Sequence, residues 1–411
     1  MSKNNSLFAM LPLFLVLFID GMGLGLLFPI LNGVIVDSSS GFLSHATSVG
    51  VREILYGLVV GIFMICWFFG AAVLGDLSDT IGRKKALMIC LIGSFLGYLL
   101  SAISIMMGSL TLLILGRVIA GFTAGSQPVA QAAIVDVSSE EHKTRNIGLI
   151  LLAVSLGFVF GPIIGGVLSD SRIWSGFNYG TPLYFASVIS LINAVLLGLF
   201  FKETFYKTEK IKIKLHHAVN IFISAFRHEK IWKLSIIMLV MIFGWSNYFS
   251  FISVYMTQTY HFDTFQNSLL LAAMGVGFSI GCGYLVDWCA KRYPLSYTIR
   301  VMLILTGILV LLTLLIHNAY LSYLFTLLIG LTLAVAYSSI ITLFSNQVGP
   351  DEQGWVMGVT GSIMALCFGL TSVSTGVIAS FSGAAIPIVL AVIGLLVSGA
   401  LFYVFRFEDN K

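Results

Sequence analysis

Long apolar stretches separated by polar interruptions organise the whole chain. Runs long enough to cross a bilayer begin near Leu7, Leu55, Ala86, Leu110, Ile147, Pro182, Leu234, Ser268, Val301, Leu321, Val356 and Ala385. A helix of about 20 residues spans a hydrocarbon core of ~30 Å. The pattern therefore predicts an all-α membrane protein with twelve spans.

The interruptions are unequal, and the one long polar stretch, from Glu203 to Lys233, falls at the midpoint of the twelve. It predicts an amino-terminal six-helix bundle over 1–202, a linker over 203–232 and a carboxy-terminal six-helix bundle over 233–411. Within the linker, Ile211, Ile213, Leu215, Ile221, Phe222 and Phe226 alternate with lysines and with His216, His217 and Arg227. That pattern suits an amphipathic helix on the inner leaflet, or equally a solvated basic connection. An internal repeat supports the two halves. Gly75-Asp76-Leu77-Ser78-Asp79, followed four residues later by Arg83, recurs as Gly283-Tyr284-Leu285-Val286-Asp287, followed four residues later by Lys291. Repeats of this kind place a substrate site between the halves near the bilayer midplane.

Composition agrees: 58% of the 411 residues are hydrophobic and 10% charged, with a mean hydropathy of +0.99. A soluble chain has an apolar share of roughly 45–50%. The net charge of +4 forms no nucleic-acid-binding face, because the basic residues sit between apolar runs. If the amino terminus is cytoplasmic, the inner loops hold Arg83, Lys84, Lys85, Lys143, Arg145, Lys202, Lys207, Lys210, Lys212, Lys214, Arg227, Lys230, Lys233, Lys291 and Arg292. The outer loops then hold only Arg52 and Arg172. The positive-inside rule accordingly predicts both termini in the cytoplasm. The first run is too long for a cleaved signal peptide, so the first span itself is expected to direct insertion.

The chemistry of cofactors is missing. Five cysteines (Cys66, Cys90, Cys282, Cys289, Cys367) form no C-x-x-C pair and read as packing residues, and the histidines do not cluster as a metal site. Gly21, Gly23 and Gly25 taken alone resemble a glycine-rich nucleotide loop, but no strand precedes them, and the chain has no G-K-[ST] loop. No cofactor and no directly ATP-driven pumping are expected. No spaced nucleophile, base and oxyanion group supports an enzyme. A receptor would more naturally carry a sizeable soluble domain.

Four sequence features carry function. Gly75-Asp76-Leu77-Ser78-Asp79-Thr80-Ile81-Gly82-Arg83-Lys84-Lys85 lies in the loop between the second and third spans. There Gly75 permits close helix approach, Asp79 can accept hydrogen bonds at a helix amino terminus and Arg83 can pair with a carboxylate. In the fifth span Gly157-Phe158-Val159-Phe160-Gly161-Pro162-Ile163-Ile164-Gly165-Gly166 combines a helix-bending proline with small residues at four-residue spacing. Arg117 sits well inside the fourth span, where an unpaired cation costs several kcal/mol. Its candidate partner is Asp20, the only acid deep in a span, because counting ~1.5 Å per residue puts both about 12 Å from the outer surface.

These motifs resemble those of the major facilitator superfamily, and within it the twelve-span drug/proton antiporters, including tetracycline-resistance and multidrug exporters. The run Ile19-Asp20-Gly21-Met22-Gly23-Leu24-Gly25-Leu26-Leu27-Phe28-Pro29 is similar to their first helix. The resemblance implies two pseudo-symmetric six-helix bundles that work by alternating access. It implies a gating motif of Gly75, Asp76, Asp79, Gly82, Arg83 and Lys84, and an antiporter motif of Gly157, Gly161, Pro162, Gly165 and Gly166. Proton coupling would fall to Asp20 and Arg117. Because the family lines its cavity with the first, fourth, seventh and tenth spans, Gln127, Gln131, Trp245, Asn247, Tyr248, Tyr337, Ser338 and Ser339 are the cavity candidates. The implied partners are protons, a small-molecule substrate and the lipid bilayer, with the chain acting as a monomer. A departure is that 86–107 and 301–316, in the third and ninth spans, lack the acids found in tetracycline exporters. The expected function is proton-driven export of an amphipathic small molecule from the inner membrane of a bacterium. The alternative is transport of a defined metabolite, such as an amino acid or siderophore, on the same scaffold.

Overall fold

The computed structural model describes residues 3–138, 140–204, 216–405 and 407. The first half comprises α1 (Lys3–Leu31), α2 (Val49–Ile81), α3 (Arg83–Met107), α4 (Leu110–Thr123), α5 (Ser126–Val137), α6 (Glu140–Ser169) and α7 (Thr181–Phe200). A short helix, α8 (His216–Arg227), precedes the second half. That half comprises α9 (Trp232–Tyr260), α10 (Thr264–Ile280), α11 (Val286–Ala290), α12 (Leu295–Leu315), α13 (Ala319–Asn346), α14 (Gln353–Ser382) and α15 (Ala385–Phe405). Among the described residues, twelve helical stretches are long and apolar enough to cross a membrane, with α4–α5 counted as one and α10–α11 as another.

Glycine brings the two halves together. Lipid offers no hydrophobic drive for helix association, so spans associate by close packing at small residues. On α2, a Cβ at Gly57 would lie 2.9 Å from the Gly376 Cα of α14, and one at Gly61 would lie 2.7 Å from the Gly369 carbonyl oxygen. The second inter-half contact is α6 on α10, where a Cβ at Gly166 would meet Ser268 at 2.7 Å.

Polar bonds then join the halves at one end of the bundle, the end opposite the linker. Asn32 Nδ2 donates to the Ser253 carbonyl (3.3 Å) and to Thr257 Oγ1 (2.7 Å), and Tyr56 donates to the Ser250 carbonyl (2.7 Å). Gln258 Nε2 donates to Glu53 Oε1 (2.9 Å), and Arg172 pairs with Asp263 (2.7 Å). Arg172 also donates to Asp170, and these bonds hold the Asp170 carboxyl below the usual range.

At the linker end no side-chain hydrogen bond or ion pair joins spans of the two halves among the described residues, unlike the opposite end. Gly75 of α2, and Gly354 and Gly361 of α14, have no neighbour within 4 Å of a Cβ position, and Gly283 is equally open. Here α8 touches both halves. Phe222 packs edge-on against Phe68 of α2 (6.4 Å), while Trp355 of α14 donates from Nε1 to Ser224 Oγ (3.2 Å). Ala218 and Ala225 are buried beneath α8, whereas Val219 and Ile223 are exposed. The amphipathic pattern at Ile221, Phe222 and Phe226 thus forms a helix whose apolar face rests on the bundle. Ile211, Ile213 and Leu215 lie outside the described residues.

Candidate functional site

The fourth span is not one helix. It breaks at Ala124–Gly125, where Gly125 lies against Gly70 of α2, a Cβ there meeting the Gly70 carbonyl at 2.7 Å. The break creates a helix amino terminus inside the bundle, at Ser126. Unpaired N–H groups and the helix dipole make such an end favourable for negative charge. Asp20 of α1 sits there, its Oδ2 accepting a hydrogen bond from Ser126 Oγ at 2.7 Å. Asp20 is only partly buried.

Arg117 is elsewhere, and the expected Asp20–Arg117 pair is not formed. The residue is 3% exposed, and its guanidinium lies 4.1 Å from the centroid of the Phe63 ring and donates from Nε to the Val59 carbonyl at 3.5 Å. The equal-depth count failed because helical structure in the first span continues past its apolar run to Val36, through a π-turn over Asn32–Val36. Asp20 is 16 residues from that end, or ~24 Å, whereas Arg117 is seven residues from Leu110, or ~10 Å. Tyr98 of α3 lies between them, with its hydroxyl against the backbone of Gly23, within electrostatic range of both. Ser126 and Tyr98 are functional candidates that sequence reasoning missed. The helix break that places Ser126 depends on a glycine contact from another span.

The gating motif ties together the linker end of the first half. Arg83 pairs with Asp79 (2.7 Å) and reaches Asp136 of α5 (3.4 Å) and Ser78 (2.5 Å). Gly82 adopts φ +97°, a conformation that favours glycine, and a side chain there would strike Glu203. Glu203 in turn caps α3, accepting from the backbone N–H of Arg83 (2.8 Å) and Lys84 (3.2 Å). Lys84 Nζ donates to the Gly198 carbonyl (2.8 Å). Asp76 lies within electrostatic range of His217 on α8. Gly75 was expected to admit a neighbouring helix; with this end parted, it faces open space.

The antiporter motif positions α1. Cβ atoms at Gly157 and Gly161 would lie 2.7 Å from Met22 N and 2.5 Å from Met22 O, while Gly165 abuts Leu26 and the Pro162 ring lies against Gly25. Although α6 runs unbroken through Pro162, proline has no N–H for the carbonyl four residues earlier. That carbonyl belongs to Phe158, and Gly275 of α10 comes against it, a Cβ there lying 2.7 Å from the oxygen. The Gly-Pro segment is therefore packed by α1 on one side and by the other half on another.

The cavity candidates divide. Gln127, Gln131, Trp245, Tyr337 and Ser338 retain accessible surface. Tyr337 reaches Met364 Sδ (3.4 Å) and Ser338 lies near Cys282 Sγ (3.7 Å), while Ser339 is buried. Asn247 and Tyr248 instead point into the second half, a correction to the expectation. Asn247 Oδ1 accepts from Thr375 (2.7 Å), and the Tyr248 hydroxyl bonds Thr326 (2.9 Å). Both are fully buried, because a polar side chain inside lipid must find its partner within the protein. Phe28, Phe249 and Phe368 form an edge-on aromatic cluster where α1, α9 and α14 meet. Among the described residues no group of His, Cys, Asp and Glu could hold a metal ion.

A polytopic membrane protein of two bonded halves, parted at one end, with a carboxyl at a broken span, has the form of a membrane transporter. The sequence profile of the Major Facilitator Superfamily matches residues 13–372, and the chain belongs to that family. It is 31% identical over 210 residues to the class C tetracycline resistance protein of Escherichia coli, covering 51% of this chain and 48% of that protein. The match to this relative, and to two further tetracycline resistance proteins, spans less than half of their length. The quinolone resistance protein NorA of Staphylococcus aureus (strain MRSA252) is 25% identical over 366 residues, 85% of this chain and 84% of NorA. A D-xylose–proton symporter shares the fold, with a TM-score of 0.76 and 13% identity over 98% of this chain and 99% of that one.

Proposed function

We propose that the protein is a proton-coupled antiporter that exports an amphipathic small molecule by alternating access between its halves, here 1–202 and 233–411, joined by the linker 203–232. The observation that carries this reading is the Asp20 carboxyl, held by Ser126 at a helix break within a bundle open at one end. A carboxyl so placed can bind a proton from one side and release it to the other as the halves rock. The named relatives are drug-resistance proteins, which favours export over uptake. Lysines and arginines concentrate at the linker end, so that end and both termini are cytoplasmic, in the inner membrane of a bacterium, and the structure is inward-facing. Arg117 supports the site from a distance. Protons supply the energy without a cofactor, and one chain suffices.

Purified protein in liposomes under an imposed pH gradient should move one or more amphipathic drugs against their gradient, with protons moving the opposite way. Transport that ignores the pH gradient across a broad panel would overturn the reading.

The gating motif carries a second test. Asp79 and Asp287 are exposed acids at matching positions of the two halves, paired with the largely buried Arg83 and the exposed Lys291 respectively, and pairs with an exposed carboxylate contribute little stability. Their weight must come from the conformation in which the linker end closes. Asp79→Asn should insert normally yet slow transport by roughly tenfold, about 1.4 kcal/mol of barrier, and Asp287→Asn should do less. Initial rates normalised to protein in the membrane decide; equal, unaltered rates count against a gate.

A further inference from the structure

Of the bonds joining the halves at the end opposite the linker, one involves a carboxyl with no cation. Glu53, in the first turns of α2, is 2% exposed, and its Oε1 accepts from Gln258 Nε2 of α9 at 2.9 Å. The charged and titratable groups around it are otherwise engaged. The adjacent Arg52 turns its guanidinium to the carbonyls of Ile35 and Ser44, both at 2.9 Å, and to that of Thr47. Asp37 accepts from the Ser39 backbone, Arg172 is taken by Asp170 and Asp263, and His261 is exposed. From α9 the nearby titratable groups are Tyr255 and Tyr260, which pack on each other. From α14, Gly376 lies against the Glu53 backbone carbonyl. Among the described residues no cation stands within ion-pair distance of Glu53.

We propose that Glu53 is a second proton site, a latch that seals the halves together opposite the linker when protonated and releases them when ionised. This deepens the proton-coupled reading above and rests on it. A protonated carboxyl can donate to the Gln258 amide oxygen while it accepts from the amide NH2, whereas a carboxylate can only accept. Sealing an ionised carboxylate against a neutral amide leaves a buried charge uncompensated, which is strongly unfavourable. Parting α2 from α9 hydrates the group and removes that cost. Closure and proton uptake from the side opposite the linker are therefore linked, as an exporter that imports protons requires.

The test uses spin labels at the exposed positions Ala46 and Ser382, in a cysteine-free, Asp20→Asn background in lipid nanodiscs, so that Asp20 does not titrate. With Glu53 present, the fraction with wide label separation should fall about tenfold for each unit of difference in Glu53 proton affinity between open and closed forms, between about pH 8 and about pH 5. Glu53→Gln, which keeps a partner for Gln258, should stay closed at both extremes, and Glu53→Asp should keep a pH response. A Glu53→Gln protein that opens and closes with pH like its parent overturns the latch. If the response vanishes in Glu53→Gln but liposomes show no proton-coupled transport, the latch stands and the transport reading fails. The reverse pair of results removes the latch alone.

Discussion

Asp20→Asn is expected to reduce transport driven by a pH gradient to the background of empty liposomes, a fall of about 100-fold or more, while substrate binding stays within about threefold. Asparagine is close in shape to aspartate and can still accept from Ser126, so the helix break at Ala124–Gly125 and the packing of α1 on α6 remain. What disappears is the exchangeable charge. One proton contributes about 1.4 kcal/mol per pH unit and ~2.3 kcal/mol per 100 mV, and without the carboxyl inside the bundle a proton bound at Glu53 has no group to pass to, so the carrier has no access to that energy. Passive counterflow of substrate should survive, which separates lost coupling from lost folding. Ser126→Ala, which keeps the carboxyl but removes its donor, should change the pH profile of transport, and Ser126→Thr should restore it. Accumulation at the wild-type rate by Asp20→Asn would assign the proton to another group, with Glu53 first in line and then Asp79 or Asp136.

The layout was legible in the sequence because a span in lipid must be apolar along its whole length, whatever its neighbours. The boundaries strayed where charge enters a helix without leaving the protein. The second span was placed at Leu55, yet α2 begins at Val49, since Arg52 and Glu53 are buried with carbonyl and amide partners. The ninth was placed at Val301, yet α12 begins at Leu295, with Arg300 extended over the Tyr297 and Tyr403 rings. Long side chains that find polar or aromatic company near a membrane surface do not end a helix.

The site was less legible, for a reason seen most clearly at Arg117. Depth counted along one helix assumes known ends, and that assumption failed at Val36, while the break at Gly125 that sets Ser126 beside Asp20 is invisible in the apolar run. Which face of a span looks into the cavity is equally hidden, since Trp245, Asn247 and Tyr248 occupy one turn and only Trp245 keeps accessible surface. Small-residue motifs transferred better. A glycine at an interface reflects close backbone approach, which the spacing of Gly157, Gly161 and Gly165 already encodes.

That encoding makes Gly161 the second position where a large effect is expected. Its missing side chain is filled by α1 itself: a Cβ would lie 2.5 Å from the Met22 oxygen and 2.9 Å from its Cα. These are backbone atoms, so neither a rotamer change nor a flexible neighbour can relieve the clash. Gly161→Ala should therefore cost about 1–3 kcal/mol, the usual penalty for overpacking, and displace α1 two residues from Asp20. Gly161→Leu should abolish coupled transport and let liposomes dissipate a pH gradient faster. Pro162→Ala separates geometry from bulk: it restores an N–H toward the Phe158 carbonyl and removes the ring from Gly25. It should fold well but leak protons or couple poorly. Gly198→Ala on α7, where nothing lies within 4 Å of the new methyl, is the control and should match wild type. Thermal unfolding in detergent, together with proton leak and coupled efflux in liposomes, reads all four. Wild-type coupling in both Gly161→Leu and Pro162→Ala would mean that the fifth span neither positions Asp20 nor seals the bundle.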